Sequence, residues 1–475
     1  MLAEPFFQIF HSVLQETNVE AYLCGGTVRD LLLNRPFRDV DVVLPDKVFF
    51  VAQAFRKKIN APYFVLDQER QIARVVCGGG NWDFSGFRNH TIEGDLKKRD
   101  FTINALAIEW NRFYPSRDLS SVLDPFGGLQ DLQQRQIRTV APQSLVDDPL
   151  RMLRAFRIRA ELDFQIHPAV LTEIEQIHSL IQNVAEERIT EELGRIFLQP
   201  DSAKTWGSLG NSSLLNSVLP ELQPMKGCEQ GGYHHLDVWH HTILALEFFE
   251  DLILRLGEFF PDHAQFLQEY LDSSTGTLER RCLLKWAMLL HDMGKPATRE
   301  LKEPGRYRFH GHDHAGADLA EKLLKRLKFS RRDIQVISNL VDQHLRPLNL
   351  LNTEQRDYFK FFRGAGTEAI GTILISYGDI SAARGPLADV SRTDEFLGLM
   401  NDLFRFYREE YYPIVHTPEL IKGRDLMVLF QMKPGPQMGQ VLKELREAQY
   451  SGRIRSREQA IEFAAQWLKS NSPNA

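Results

Sequence analysis

What the chain lacks sets its first limits. No stretch approaches the ~18 consecutive apolar residues that a membrane span needs, and the longest, such as LLKWAMLLH, are of buried-helix length. Only four cysteines occur, Cys24, Cys77, Cys228 and Cys282, without CxxC or zinc-finger spacing. A disulfide-rich scaffold is excluded, and reduced thiols of a cytoplasmic protein are expected. Base is not in excess: 57 Lys+Arg stand against 63 Asp+Glu, a net charge of −6. A wholly basic nucleic-acid coat protein is therefore excluded, whereas a local basic groove is not. Internal repeats and low-complexity tracts are missing. The opening MLAEPFFQIFHSVLQ has no basic n-region and reads as an amphipathic helix, not a secretory signal. A soluble protein with no membrane partner is expected.

What is present is an ordinary globular composition, 43% hydrophobic and 25% charged, over 475 residues. At ~100–200 residues per domain this suggests about three domains. The segments AYLCGG, DVDVVLP, YFVLD, ARVVC, WDFSGF and ALAIEW read as strands, with DLLLN and FFVAQAFRKKI as helices between them. After DPFGGLQDLQQ the pattern turns to helical periodicity, as in LRMLRAFRIRAELDF, LTEIEQIHSLIQNV and ITEELGRIFLQ. The expected division is 1–132, a mixed head; 133–228, a helical neck; 229–390, a histidine-rich helical body; and 391–475, a C-terminal helical region.

Two pieces of the head carry chemistry. In CGGTVRDLLL a strand runs into Gly25-Gly26 and then a helix, an arrangement in which backbone amides approach a phosphate. Arg29, one turn in, is placed to add a charge-assisted contact to a triphosphate. In RDVDVV, Asp39 and Asp41 stand two apart on a β-branched strand, so their carboxylates share one face. Two such charges side by side call for a hard cation such as Mg²⁺ between them.

Together GGTVRDLLL and RDVDVV resemble the head motif of polymerase-beta-like nucleotidyltransferases, specifically the class II tRNA nucleotidyltransferases and bacterial poly(A) polymerases. KKRDFTINALAI, DPFGGLQDL, DDPLRMLRAFRI and EERITEELGRIF resemble that family's further motifs in the same order. The resemblance implies an α+β chain: a polymerase-beta-like head with a mixed sheet and helices, then an all-α neck and body. It implies Mg²⁺ ions on Asp39 and Asp41, with Asp83 of NWDFSGFR as third carboxylate, aligning a tRNA 3′-hydroxyl with a nucleoside triphosphate. Incoming bases are read by protein side chains in this family. Asp148 and Arg151, three apart on one helix, match the Watson–Crick edge of cytosine. Gly25, Gly26, Arg29, Arg99, Asp100, Asn104, Arg154 and Arg157 are assigned to the nucleotide pocket or its bracing.

Nine of the fifteen histidines fall between residues 234 and 314. Imidazole and carboxylate together suit Mn²⁺, Ni²⁺, Fe²⁺ or Mg²⁺. His241, His291, Asp292 and Asp379 resemble the H…HD…D pattern of HD metal-dependent phosphohydrolases, and His312 and His344 its extended form. The resemblance implies a divalent metal there, with hydrolysis left open.

The leading expectation is template-independent addition of CC to the tRNA 3′ end from CTP. Complete CCA-adding relatives carry a flexible loop before the RRDFTxNAL motif. Here only NHTIEGDL separates Arg88 from Lys97, close to the ~4–6 residues of a minimal connection. CC-only members lack the loop, which implies a separate A-adding partner. Alternatives are full CCA synthesis with CTP and ATP, a poly(A) polymerase, and an HD phosphohydrolase with a degenerate head. Oligomeric state is not legible.

Overall fold

The computed structural model describes residues 4–232, 234–303, 306–353, 356–385, 389, 391–416, 418–450 and 453–471. The six segments read as strands form one sheet: β1 (Tyr22–Cys24), β2 (Val40–Leu44), β3 (Tyr63–Asp67), β4 (Ile72–Cys77), β5 (Gly80–Gly86) and β6 (Ala107–Glu109). Their order is β3-β4-β5-β2-β1-β6, and only the β2–β5 pair is parallel. The sheet is mixed, as expected.

Alternation along β5 decides where chemistry can sit. Trp82 and Phe84 point to one face and Asp83 to the other. On the aromatic face the helices Glu4–Thr17 and Val48–Ile59 bring in Phe7, Phe10 and Phe55. The Phe10 ring lies 5.1 Å from Trp82 and 4.6 Å from Trp110, both edge-on. The opposite face packs Cys24, Val43 and Ala107 beneath Ile92 and Leu96, leaving its margin to the carboxylates.

The chain divides into two compact units. The first takes residues 1–254, 270–342 and 378–388, and so holds the head, the following helices and most of the histidine-rich region. Within it Phe197 stacks on Trp206 at 4.8 Å, Trp286 meets Phe197 edge-on at 4.9 Å, and Phe329 meets Trp286 at 5.2 Å. The helices after the head and the histidine-rich helices therefore share one aromatic core. The second unit takes 255–269, 343–377 and 389–475. Its last three helices, Gly423–Phe430, Pro436–Tyr450 and Arg457–Asn471, close on Leu426, Val441, Leu445 and Ala464.

The neck and body are mostly helical, as expected, with two short strand pairs and one tightened helix as local departures. Residues Gln136–Ile137 and Gln165–Ile166 form a short parallel ladder, because the helix Arg151–Leu162 stops at Asp163 in a left-handed conformation (φ 54°). The periodic run LTEIEQIHSLIQNV is an α-helix only over Pro168–Ile177 and tightens to a 3₁₀ helix over His178–Asn183. In the body, Glu300–Glu303 pairs antiparallel with Arg306–Arg308 on the surface. Charged residues with no apolar face gave that hairpin no periodic signal.

Phe10 is fully buried among four aromatic rings. Phe10→Ala is expected to cost about 3–5 kcal/mol in a urea titration of the whole chain. A loss under 1 kcal/mol would contradict this account of the head core.

Candidate active site and metal cluster

Gly25 closes the turn between β1 and the helix Gly26–Leu32 at φ 65°, ψ −137°, a conformation only glycine adopts without strain. A Cβ there would lie 2.5 Å from Arg99 Nη1 and 3.0 Å from Asp41 Oδ2. The turn thus presses the backbone against one guanidinium and one carboxylate. Gly26 begins the helix, with the Arg29 guanidinium close above it.

Arg29 does not project as expected. It is buried, donating to both Asp30 oxygens at 2.8 and 3.0 Å and to Asn104 Oδ1 at 2.9 Å. Asn104 Nδ2 then donates to Asp100 Oδ1 at 3.1 Å, and Arg154 reaches Asp100 Oδ2 at 2.7 Å. A continuous polar chain therefore runs from the glycine turn to the helix Arg151–Leu162. Burial pushes the Asp100 carboxyl up, but Arg154, Asn104 and the Phe101 amide outweigh it and hold it at about 2.

Asp41 and Asp83 stand side by side in the parallel β2–β5 ladder, and Asp39 precedes β2 on the exposed margin. Thr27 fixes this strand: its Oγ1 accepts from Asp41 N at 2.8 Å and donates to the Asp39 carbonyl at 3.4 Å. Asp39 Oδ1 accepts from Asn81 N and Nδ2. Gly80 has no room for a side chain, since a Cβ would lie 1.8 Å from the Arg38 carbonyl. Asp83 is gripped by Arg74 through two bonds of 2.7 and 2.8 Å. The oxygens of Asp39, Asp41 and Asp83 do not gather within 4.8 Å of one another, and both oxygens of Asp83 are held by Arg74. Burial, reinforced by Asp83 and Asp39 and opposed by Arg99 and Arg29, raises Asp41 to about 6. Crowded oxygen donors of one sign are the donor set of a hard divalent cation.

The expected base-reading pair is arranged differently. Asp148 lies outside the helix, extended at φ −145°, ψ 97°. The cause is Pro149, which disfavours helical backbone in the residue before it. Asp148 pairs with Arg188 at 3.0 Å, on the helix Glu186–Phe197. Arg151, the first helical residue, donates to the carbonyls of Lys98, Arg99 and Ser144 and to Ser144 Oγ. Arg157 is buried between Glu161 and Glu192, at 2.6 Å from each, so it joins two helices and takes no part in a nucleotide pocket here. Arg99 is a partner of Asp95 at 3.2 Å and of Cys24 Sγ at 2.8 Å.

A second cluster forms where the histidine pattern placed it. The ligand atoms of His241, His291, Asp292 and Asp379 all lie within 4.8 Å of one another, and the four residues are buried. His241 Nε2 is 3.1 Å from Asp379, His291 Nε2 is 3.1 Å from Asp292, and His312 Nε2 is 3.4 Å from Asp292. His291 Nδ1 donates to Met288 O and His312 Nδ1 to Phe309 O, both at 2.7 Å, which turns each Nε2 toward the carboxylates. His234 Nδ1 lies 3.3 Å from His241 Nδ1. Burial works against ionisation of every member. Even so, Asp292 and Asp379 draw His291 up to about 10 while their own carboxyls stay well below the usual range. The centre demands positive charge, and an imidazole–carboxylate set of this kind fits a divalent transition metal or Mg²⁺. His344 is buried in the second unit, its carbonyl accepting from Ser376 Oγ.

Comparison with known proteins gives the family. Family models match in order: the poly A polymerase head domain over residues 21–138, a "Probable RNA and SrmB-binding site of polymerase A" over 163–226, the HD domain over 238–365, and tRNA nucleotidyltransferase domain 2 over 399–465. An A-adding tRNA nucleotidyltransferase of Deinococcus radiodurans is 33% identical over 457 residues, 94% of this chain and 96% of that protein. The chain belongs to the tRNA nucleotidyltransferase family. A CC-adding tRNA nucleotidyltransferase of Thermus thermophilus is 31% identical over 95% of the chain and 94% of that protein. The solved CCA-adding enzyme of Bacillus stearothermophilus in complex with CTP shares the fold at a TM-score of 0.64, with 21% identity and full coverage of both chains. The protein is thus a tRNA-adding nucleotidyltransferase with an HD domain, from two metal-dependent families. No helix among the described residues is long and apolar enough to cross a membrane.

For this tRNA nucleotidyltransferase, several residues around the site escaped the sequence reading: Thr27, Arg74, Asn81, Asp95, Arg188, His234 and Lys295. Lys295 bonds Asp292 at 2.6 Å, and its position three residues on, in HDMGK, was the available signal. Asp95 stands four residues before Arg99 and His234 seven before His241, near enough for spacing to show, whereas Thr27, Arg74, Asn81 and Arg188 act through partners nine or more positions away.

Asp39→Asn and Asp41→Asn are each expected to lower nucleotide addition on the order of 10²–10³-fold, with unchanged circular dichroism and thermal midpoint. Wild-type rates in either folded variant would remove these carboxylates from the chemistry. Separately, His291→Ala with Asp292→Ala should abolish uptake of Mn²⁺ or Ni²⁺, read by elemental analysis, while CTP addition persists. Loss of addition in the folded double variant would show that the two centres are coupled.

Proposed function

We propose that this chain adds cytidines from CTP to the tRNA 3′ end and stops at CC. A separate A-adding enzyme then completes the terminus. Asp39 and Asp41 hold the divalent cation, Mg²⁺ by its hard oxygen donors, which neutralises the triphosphate when bound. The Gly25–Gly26 turn lies against the phosphates, and Arg99 beside Asp41 adds positive charge there. Asp148 and Arg151 read cytosine once Arg188 and the three carbonyls release them. Residues 1–132, 133–228, 229–390 and 391–475 serve as head, neck, HD domain and C-terminal region, in the cytoplasm.

The observation that carries the CC restriction is the link between β5 and KKRDFTINAL. It is short and tied down at several points. Residues Arg88–His90 form a 3₁₀ turn and Ile92–Lys97 a helix capped by Thr91 Oγ1. Asp95, buried at its centre, pairs with Arg99. The link's end is hydrogen-bonded to Arg151 through the Lys98 and Arg99 carbonyls. A lever able to re-aim Arg151 from cytosine to adenine has little free chain to move in. The alternative, addition of A, is favoured by the 33% identity to an A-adding relative.

Three tRNAs ending before the first C, after C and after CC, each given CTP or ATP alone, separate these readings. Cytidine is expected on the first two and no adenosine on the third. Efficient, saturable addition of one A to the CC end would overturn the restriction.

A further inference from the structure

The stretch that matches the RNA-binding model is acidic. Residues 163–226 hold nine Asp/Glu and four Lys/Arg. Three of those four cations are already paired, Arg188 with Asp148, Arg195 with Glu191 and Lys204 with Asp201. The fourth, Lys226, donates to the Gly210 carbonyl. Such a surface repels phosphate unless charge arrives from elsewhere.

Residues 322–332, KLLKRLKFSRR, carry six Lys/Arg and no Asp/Glu. They comprise the end of the helix His312–Arg326, a turn through Lys328 at φ 60°, and the start of the helix Arg331–Gln343. Lys322, Lys325, Lys328, Arg331 and Arg332 are exposed. Arg326 faces inward and clamps Glu186 and Glu221, at 3.1 and 2.8 Å, both within 163–226. Thr190 Oγ1 donates to Leu327 O at 2.6 Å. The basic elbow is thereby fastened to the acidic stretch.

Two further facts point outward. Arg331 and Arg332 occupy the first turn of a helix, where the macrodipole disfavours cations. Lys322, Lys328 and Arg331 make no ion pair with any described residue. Five exposed cations on one elbow, two of them against the dipole, are complementary to a polyanion outside the chain.

We propose that the elbow 322–332 is a phosphate-tracking surface for the tRNA substrate, supplying the charge that the adjoining stretch lacks. This assignment rests on tRNA being the substrate. Its contacts are to the backbone, so they carry affinity and register without base preference.

The test is the full chain with Lys322, Lys328, Arg331 and Arg332 all changed to Gln, against a control with Lys57, Arg70, Lys302 and Arg306 changed likewise. Binding of unmodified tRNA is measured by anisotropy across a salt series, beside CTP addition. Each lost phosphate contact removes about 0.7–0.9 from the magnitude of the slope of log K against log salt, so the four substitutions are expected to lower it by roughly 3. Affinity near 0.1 M salt should drop at least about tenfold, with the control unchanged and the thermal midpoint equal or higher. Unchanged affinity and slope in the folded variant overturn the proposal and leave the elbow to an acidic protein surface. An equal loss in the control overturns it as a net-charge effect. Failure of the underlying reading appears differently, as wild-type protein that extends no tRNA.

Discussion

A single buried carboxylate ties the glycine turn of the head to the helix Arg151–Leu162. Asp100 is bonded on one side through Asn104 to Arg29, behind the glycine turn, and on the other to Arg154 of the following helix. Its charge is stabilised well beyond what burial alone allows, since it stays ionised down to about pH 2. A depressed carboxylate contributes stability in full above the ordinary range and loses it only as pH falls through its folded value. The spatial relation between the glycine turn and the helix Arg151–Leu162 is therefore insensitive to pH across the physiological range. Breaking one partner would strand a buried charge, the costly way to lose an ion pair.

The same economy of partners governs Asp148 and Arg151. Both are satisfied within the chain, Asp148 by Arg188 and Arg151 by backbone carbonyls. On the proposed reading, an incoming cytosine exchanges with these partners, and only a base offering equivalent donors and acceptors leaves none of them unpaired. Discrimination then rests on what a wrong base fails to replace. The HD cluster follows a parallel logic, with imidazoles aimed by backbone carbonyls before any cation arrives.

Much of this was legible in the sequence, for identifiable reasons. The six head strands showed themselves through β-branched and aromatic runs between Gly, Pro and Asp punctuation. His241, His291, Asp292 and Asp379 were visible as a pattern because their chemistry leaves few substitutes, and they do converge. Side-chain destinations were not visible. Arg29, one turn into a helix that follows two glycines, looked like a phosphate contact, yet Asn104, seventy-five positions away, claims it. Arg157 has the same history with Glu192. Asp148 is a different kind of miss, since the signal was present. Pro149 follows it directly, and a helical i, i+3 pairing with Arg151 was never compatible with that proline.

The aromatic core built from Phe197, Trp206, Trp286 and Phe329 has a bearing on how such a chain is assembled over evolutionary time. A boundary drawn near residue 228 looks like a seam at which one module was joined to another. Cut there, the upstream helices would present Phe197 and Trp206 to water and leave Glu186 and Glu221 without Arg326. The histidine-rich region is therefore no longer a detachable cassette. Even a chain whose histidine cluster bound no metal would be held to keep these helices, as ballast for the part that handles RNA.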